Sequence, residues 1–283
     1  MKAAVFAPEP RRISGRGLVL AGIGLAALCA WLALDAPLTG LVPHAGGARI
    51  VRGFFGSALS PALHYEGEVP EGTPSILTNG LAAARRTLVF AVAGMSLALV
   101  LGIVLGFLAS ASSWVGERRA GFWLPIWAVA RLLIAGMRSV HELLWAVLFL
   151  AAFGLNTFGA VVAIAIPYGG TLAKIFSEML EEAPRDSARA LDELGAGPLQ
   201  VFLFGRLPRA LPDMAAYAFY RFECAVRSSA VLGFFGFPTL GYTISQAFEN
   251  LHYAEVWTYL YMLIGLVVGI ELWSSALRRR FVA

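Results

Sequence analysis

A chain of 283 residues with 58% hydrophobic and 14% charged side chains, and a mean hydropathy of +0.71, carries more apolar surface than a water-soluble fold can bury. A bilayer is the solvent that fits it, which points to an all-α polytopic membrane protein. The net charge of +4 comes almost wholly from arginines scattered between apolar runs, not from a basic stripe with interleaved aromatics. Nucleic acid is therefore excluded as a partner, and the positive charge is read as fixing topology in lipid.

In chain order, about six transmembrane helices are predicted. The first covers 17–35, behind Arg11, Arg12 and Arg16; its length and the poor small-x-small site at Leu34-Asp35-Ala36 favour a retained anchor over a cleaved signal. Residues 36–80, rich in Gly and Pro and carrying Glu66, Glu68 and Glu71, read as an external loop with a short surface helix over 48–59. An anchor region, 1–80, is thus expected ahead of a transmembrane domain, 81–283. The second span covers 87–110. Arg85 and Arg86 stand before it at the external mouth, where they either snorkel to headgroups or draw in anions.

A turn at 112–121 holds Glu117, Arg118 and Arg119. Residues 122–137, interrupted by Pro125 and Arg131, are predicted as an interfacial elbow helix leading into a third span over 140–153. The fourth span, 157–176, contains Pro167 and Gly169-Gly170, which predict a kink. After a charged segment over 181–208 come a fifth span at 211–235, a re-entrant or external segment at 236–254, and a sixth span at 256–273. Cys29 and Cys224 sit in apolar runs and read as buried small hydrophobes, with neither metal spacing nor a disulfide framework.

Six spans place both termini on one side. That side receives Lys2, Arg11, Arg12, Arg16, Arg118, Arg119, Arg131, Arg138, Lys174, Arg185, Arg189, Arg206, Arg209 and Arg278–Arg280, whereas the other receives Arg49, Arg52, Arg85 and Arg86. The positive-inside rule makes the first side cytoplasmic, and the 181–208 segment lies on it.

That segment predicts two short helices. Pro184 suits a first helical turn, Asp186 complements the N-terminal dipole, and Ala188, Ala190, Leu191 and Leu194 give an apolar face. Gly195 offers a left-handed stop. Pro198 opens a second helix with Leu199, Phe202 and Leu203, which ends near Gly205 before Pro208 restarts the chain. Such a hairpin either docks on another protein or lies on lipid.

The spacing resembles the coupling loop of ABC-importer permeases: Glu-Ala-Ala, three residues, Gly, nine residues, then Ile-x-Leu-Pro. Ala190, Gly195, Leu207 and Pro208 match, with Ala196–Phe204 as the nine. Arg189 stands where the family has Glu, Leu191 replaces the second Ala, and Gly205 replaces Ile; Asp192 and Glu193 are alternative sources of the negative charge. From about residue 87 onward the chain is most similar to the phosphonate/phosphite permeases. Arg138-Ser139-Val140-His141-Glu142-Leu143-Leu144-Trp145-Ala146 resembles their Arg-Ser-Ile-Pro-Glu-Leu-Val-Trp-Ala, and Lys174 to Glu178 resembles Lys-x-x-Ser-Glu. Tyr220-Arg221-Phe222-Glu223 followed by Val226-Arg227 resembles a Tyr-Arg-Phe-Glu-x-x-Val-Arg string. Their Gly-Ala-Gly-Gly-Ile-Gly is replaced here by Gly236-Phe237-Pro238-Thr239-Leu240-Gly241.

The resemblance implies a methionine-permease-like importer core in the cell inner membrane and a pathway for a small phosphorus oxyanion. It also implies a separate ABC ATPase subunit that binds ATP and Mg, an extracytoplasmic solute-binding protein, and a second copy of this chain. No Gly-x4-Gly-Lys-Ser/Thr string occurs, so the chain has no P-loop of its own; no nucleophile elbow or metal cluster is evident, and no cofactor or catalytic residue is expected. Other readings are import of phosphate or an amino acid, an ion-coupled carrier, and a membrane enzyme using His141, Glu142 and Glu178.

Arg221, Glu223 and Arg227 fall inside an apolar span, where an unpaired charge costs at least about 2.5–3.5 kcal/mol. Glu223 and Arg227 are four apart and able to pair, leaving Arg221 for Glu142 or Glu178. With Arg138, these residues form either a structural ion network or a cationic step for an anion.

Overall fold

The computed structural model describes residues 15–34, 45–110 and 120–282, and the chain divides into two compact units, Met1–Phe55 and Gly56–Ala283. Residues 112–119 of the turn predicted over 112–121, and the basic residues Lys2, Arg11 and Arg12, lie outside the described residues, while 120–121 belong to the next helix.

In the first unit α1 (Gly15–Ala33) is apolar all round and has no buried residue. A helix of this kind needs lipid or another chain around it. Cys29 is exposed on it and Cys224 is half-buried, so neither is the buried hydrophobe expected. α2 (Ala45–Ser57) lies close to the expected short helix.

The second unit opens with α3 (Ile76–Ala109), 34 residues long. Ser75 caps it by accepting from the Thr78 N–H at 3.3 Å, so the helix begins well before the expected Thr87. Arg85 and Arg86 are consequently exposed residues within α3, not residues preceding a span. Buried Ala91, Gly94, Ala98, Gly102 and Gly106 form a stripe of small residues along α3. It lets α6 (Thr157–Glu182) approach closely; a Cβ on Gly102 would stand 2.7 Å from Leu172 Cβ. Phe90, Met95, Ile164, Leu172, Phe176 and Leu180 fill the core between them.

α4 (Ala120–Ser139) meets α5 (Glu142–Phe153) at 89°. His141 makes the corner, its Nδ1 accepting from the Leu143 N–H at 3.3 Å. α5 has only 12 residues, too few to span a hydrocarbon core of about 30 Å at about 1.5 Å per residue. α4 and α5 thus occupy the places of the expected elbow helix over 122–137 and the helix over 140–153, but α5 alone does not make the third span. Pro167 is accommodated within α6, which runs on without a break.

After α6 come α7 (Asp186–Glu193), the single turn α8 (Pro198–Gln200), a π-helical turn (Val201–Arg206) and α9 (Leu207–Val231). A 3-10 turn (Leu232–Phe235) leads to α10 (Leu240–Glu249), and α11 (Tyr253–Val282) follows. Buried hydroxyls lock the α9–α10 connection to α3. Ser229 Oγ donates to the Thr87 carbonyl at 2.9 Å, Thr87 Oγ1 accepts the Leu240 N–H at 3.0 Å, and Thr239 Oγ1 donates to the Ala230 carbonyl at 3.0 Å. Each satisfied bond contributes about 1 kcal/mol, and each buried group left alone would cost more.

By length and apolarity, 4 described helices can cross a membrane (α1, α3, α6 and α11), and the bent α4–α5 pair makes 5. The expected fifth span, α9, is long enough but carries Arg209, Asp213, Arg221, Glu223 and Arg227. It packs against α3, α6 and α11, and that packing shelters part of this charge.

Candidate functional site

The hairpin between α6 and α9 is set by local chemistry. α7 begins at Asp186, so Pro184 lies ahead of the helix and not in its first turn. At the other end Gly195 adopts φ +80°. Its N–H donates to the Asp192 carbonyl at 2.9 Å, and the Ala196 N–H reaches the Leu191 carbonyl at 3.0 Å. These two bonds are the paired closure of a Schellman motif, which calls for a left-handed residue at this point.

The return limb is continuous with α9, in place of the expected break before Pro208. The π turn passes into Leu207 and Pro208 at the helix start. Gly205 is the contact between the limbs, since a Cβ there would lie 2.9 Å from Ala188 Cα and 3.2 Å from Ala188 N. Phe202 is buried and its ring centroid sits 4.2 Å from that of Phe107 on α3, anchoring the hairpin to the helix bundle. Burying one such ring stabilises by about 1.5–3 kcal/mol.

Arg189, Ala190, Asp192, Glu193, Gly195 and Pro208 are exposed on this hairpin, and Leu207 is half-buried. Leu194, Leu199, Leu203 and Phe204 are large apolar side chains that also stand exposed. An exposed apolar group rimmed by charges of both signs has the composition of a protein-docking surface. Sequence reasoning missed Phe204. At the hairpin root, burial and then the nearby Arg185 guanidinium push Arg206 below the ordinary arginine range, against the pull of Glu181.

Arg131, read from sequence as an interruption and a cytoplasmic topology charge, ties the root to the bundle. Its Nη2 pairs with Glu181 Oε1 at 3.0 Å, its Nε donates to the Ala109 carbonyl at 3.3 Å, and its guanidinium lies 5.2 Å from the Trp127 ring centre. One side chain thus joins the ends of α3 and α6 to α4. Between the end of α6 and α9 a cavity of about 590 Å³ is lined by Glu182, Arg209, Asp213, Tyr217 and Tyr220.

The intramembrane charges pair differently from the sequence expectation. Glu223 is buried and accepts from Arg278 Nη1 on α11 at 2.8 Å, so its partner is not Arg227. Arg227 is exposed on α9 and its Nη2 approaches Cys224 Sγ at 3.5 Å. Arg221 goes neither to Glu142 nor to Glu178. Its Nε donates to Tyr217 Oη at 2.8 Å, and its guanidinium lies 5.3 Å and 6.0 Å from the Tyr217 and Tyr220 ring centres. Glu142 accepts from Ser228 Oγ at 2.7 Å, and Ser228 Oγ and Tyr168 Oη are 2.8 Å apart, which links α5, α6 and α9. Glu178 pairs with Lys174 one turn away on α6, and Arg138 is exposed in the last turn of α4. The partners Tyr168, Tyr217, Ser228 and Arg278 were not foreseen. A tyrosine or serine in an apolar run carries no mark of the distant charge it will satisfy.

Comparison with known proteins places this geometry. The family described as "Binding-protein-dependent transport system inner membrane component" matches residues 98–282. The phosphite transport system permease protein PtxC of Stutzerimonas stutzeri is 33% identical over 69% of this chain and 68% of its own length. The phosphate-import permease protein PhnE of Mycolicibacterium smegmatis is 31% identical over 69% of this chain, though over only 36% of its own length. Among solved structures, an inward-facing form of the MetNI methionine ABC transporter superposes with a TM-score of 0.63 at 20% identity, covering 75% of this chain and 99% of that one, which establishes a shared fold. The chain belongs to the family of binding-protein-dependent transport system inner membrane components.

Proposed function

We propose that this chain is the permease of an ATP-driven importer and forms the pathway for a small phosphorus oxyanion such as phosphite or a phosphonate. The observation that carries the substrate class is the match over more than two thirds of the chain to a phosphite permease. Guanidinium groups on α9 agree with it, since their planar forks suit phosphorus-bound oxygens. Arg227 has no carboxylate partner among the described residues, whereas Glu223 is engaged by Arg278. Arg209 and Arg221 also lack a carboxylate among the described residues, but Arg221 is held by Tyr217 and Arg209 lies beside the hairpin. Arg227 is thus the exposed arginine of the apolar stretch of α9 offered to an anion.

In this reading the α6–α9 hairpin faces the cytoplasm, with both termini. Leu194, Leu199, Leu203 and Phe204 seat in a separate ABC ATPase, with Arg189, Asp192 and Glu193 at the rim. ATP binding draws the ATPases together and moves the hairpin; α9, continuous with it, carries the movement into the membrane. The ligand arrives on an extracytoplasmic binding protein, and a second copy of this chain completes the pathway.

The test is reconstitution with the ATPase and binding protein in vesicles. Phosphite or a phosphonate should accelerate ATP hydrolysis and enter the vesicles. Arg227→Ala should lose uptake while assembly and basal hydrolysis persist. Normal uptake by that variant would remove Arg227 from the pathway, and stimulation by amino acids alone would overturn the oxyanion reading.

A further inference from the structure

At the far end of α3 from the hairpin, the segment before α3 is stapled to the first turns of α11. The Ala62 N–H donates to the Ala254 carbonyl at 3.1 Å, Thr258 Oγ1 donates to the Ala62 carbonyl at 2.6 Å, and Tyr261 Oη donates to the Ala58 carbonyl at 2.8 Å. The Glu66 N–H donates to Glu255 Oε1 at 2.6 Å. Leu251, left-handed at φ 61°, turns the chain out of α10, and His252 Nδ1 then lies 3.2 Å from Glu255 Oε1. The imidazole packs against the backbone at Gly67, where a Cβ would come within 2.8 Å of its Cε1.

This brings Glu66, His252 and Glu255 together, with one donor atom from each lying within 4.8 Å of the others. Glu255 is a buried carboxylate at 5% exposure, and a second carboxylate stands beside it. Among the described residues no arginine or lysine pairs with either one. The Glu66 amide and the His252 imidazole meet only one oxygen of Glu255, so a cation between the two carboxylates would compensate the desolvated charge that remains. An imidazole with two carboxylates is the donor set of zinc, with a fourth position left for water. Calcium and magnesium prefer all-oxygen shells. The 3.2 Å separation of His252 Nδ1 from Glu255 Oε1 is close to the edge of a tetrahedron with bonds of about 2.0–2.1 Å.

We propose that Glu66, His252 and Glu255 form a binding site for a zinc-class divalent cation that clasps the 58–75 segment onto the start of α11. The site draws on two stretches that are distant in sequence and lies away from the hairpin and the α9 charges, so it does not depend on the import reading.

The test uses the full chain purified in detergent without a polyhistidine tag and stripped with chelator. Equilibrium dialysis should give one Zn2+ per chain, retained against excess Mg2+ and Ca2+. Co2+ in its place should show the visible bands of a low-coordinate site. Loss of a direct ligand in His252→Ala should weaken Zn2+ binding by more than about 100-fold, beyond the effect of removing an outer-shell partner. Glu66→Gln, at an exposed position, gives a second variant that does not threaten folding and should also weaken it. Zn2+ should further slow hydrogen exchange at the Glu66 amide. Absence of stoichiometric Zn2+, or equal affinity in wild type, His252→Ala and Glu66→Gln, would overturn the site.

Discussion

The pairing of Glu223 with Arg278 allows a direct test of how the membrane charges are arranged. The two groups lie 2.8 Å apart, with side-chain exposures of 10% for Glu223 and 27% for Arg278. At an effective dielectric near 20, unit charges about 4 Å apart attract by about 4 kcal/mol. The partial exposure of the arginine screens this, leaving an expected coupling of about 1–3 kcal/mol. Breaking the pair from one side strands a charge on an apolar helix and costs more than the coupling itself, so single substitutions mislead. A double-mutant cycle with Glu223→Gln and Arg278→Gln isolates the pairwise term. Equilibrium unfolding of the purified chain in mixed micelles, followed by tryptophan fluorescence and circular dichroism, supplies the four free energies. A parallel cycle with Glu223→Gln and Arg227→Gln should show the smaller coupling, because Arg227 turns to Cys224 and makes no ion pair with Glu223. Additivity in the first cycle with coupling in the second would restore the i to i+4 pair and refute the arrangement.

The hairpin glycines separate steric from conformational cost. Gly205→Ala drives a Cβ into the Ala188 backbone and should destabilise by about 1–3 kcal/mol, with altered ATPase stimulation in the reconstituted complex; unchanged stability and coupling would show that the limbs part freely. Gly195→Ala meets no atom within 4 Å but must hold φ +80°, so about 1–2 kcal/mol of strain should fray α7 and lower transport; full transport would sink the lever role. Arg189→Glu, at an exposed position, should change the ratio of uptake to hydrolysis without changing the thermal midpoint of the membrane domain, and an unchanged ratio would remove Arg189 from the docking surface.

The solvent of this protein was legible without coordinates. So were its all-helical class and most helix positions, since apolar run length and punctuation by Gly, Pro, Ser and Asn act within one or two turns. Gly195 announced the end of α7, and the Tyr220 to Arg227 string announced a kinship. Where local signals competed, the reading slipped: Arg85 and Arg86 resembled a boundary, but the Ser75 cap outweighed them and α3 took them in. Tertiary structure alone decided which charge meets which. Glu223 had a ready neighbour four residues on and chose Arg278, 55 residues away. Glu142 found Ser228 rather than Arg221. It likewise decided that Glu66 meets His252 and Glu255. The physical reason is range. Helix formation is settled by bonds between near neighbours, whereas a desolvated charge takes whichever partner the packed helices bring to it.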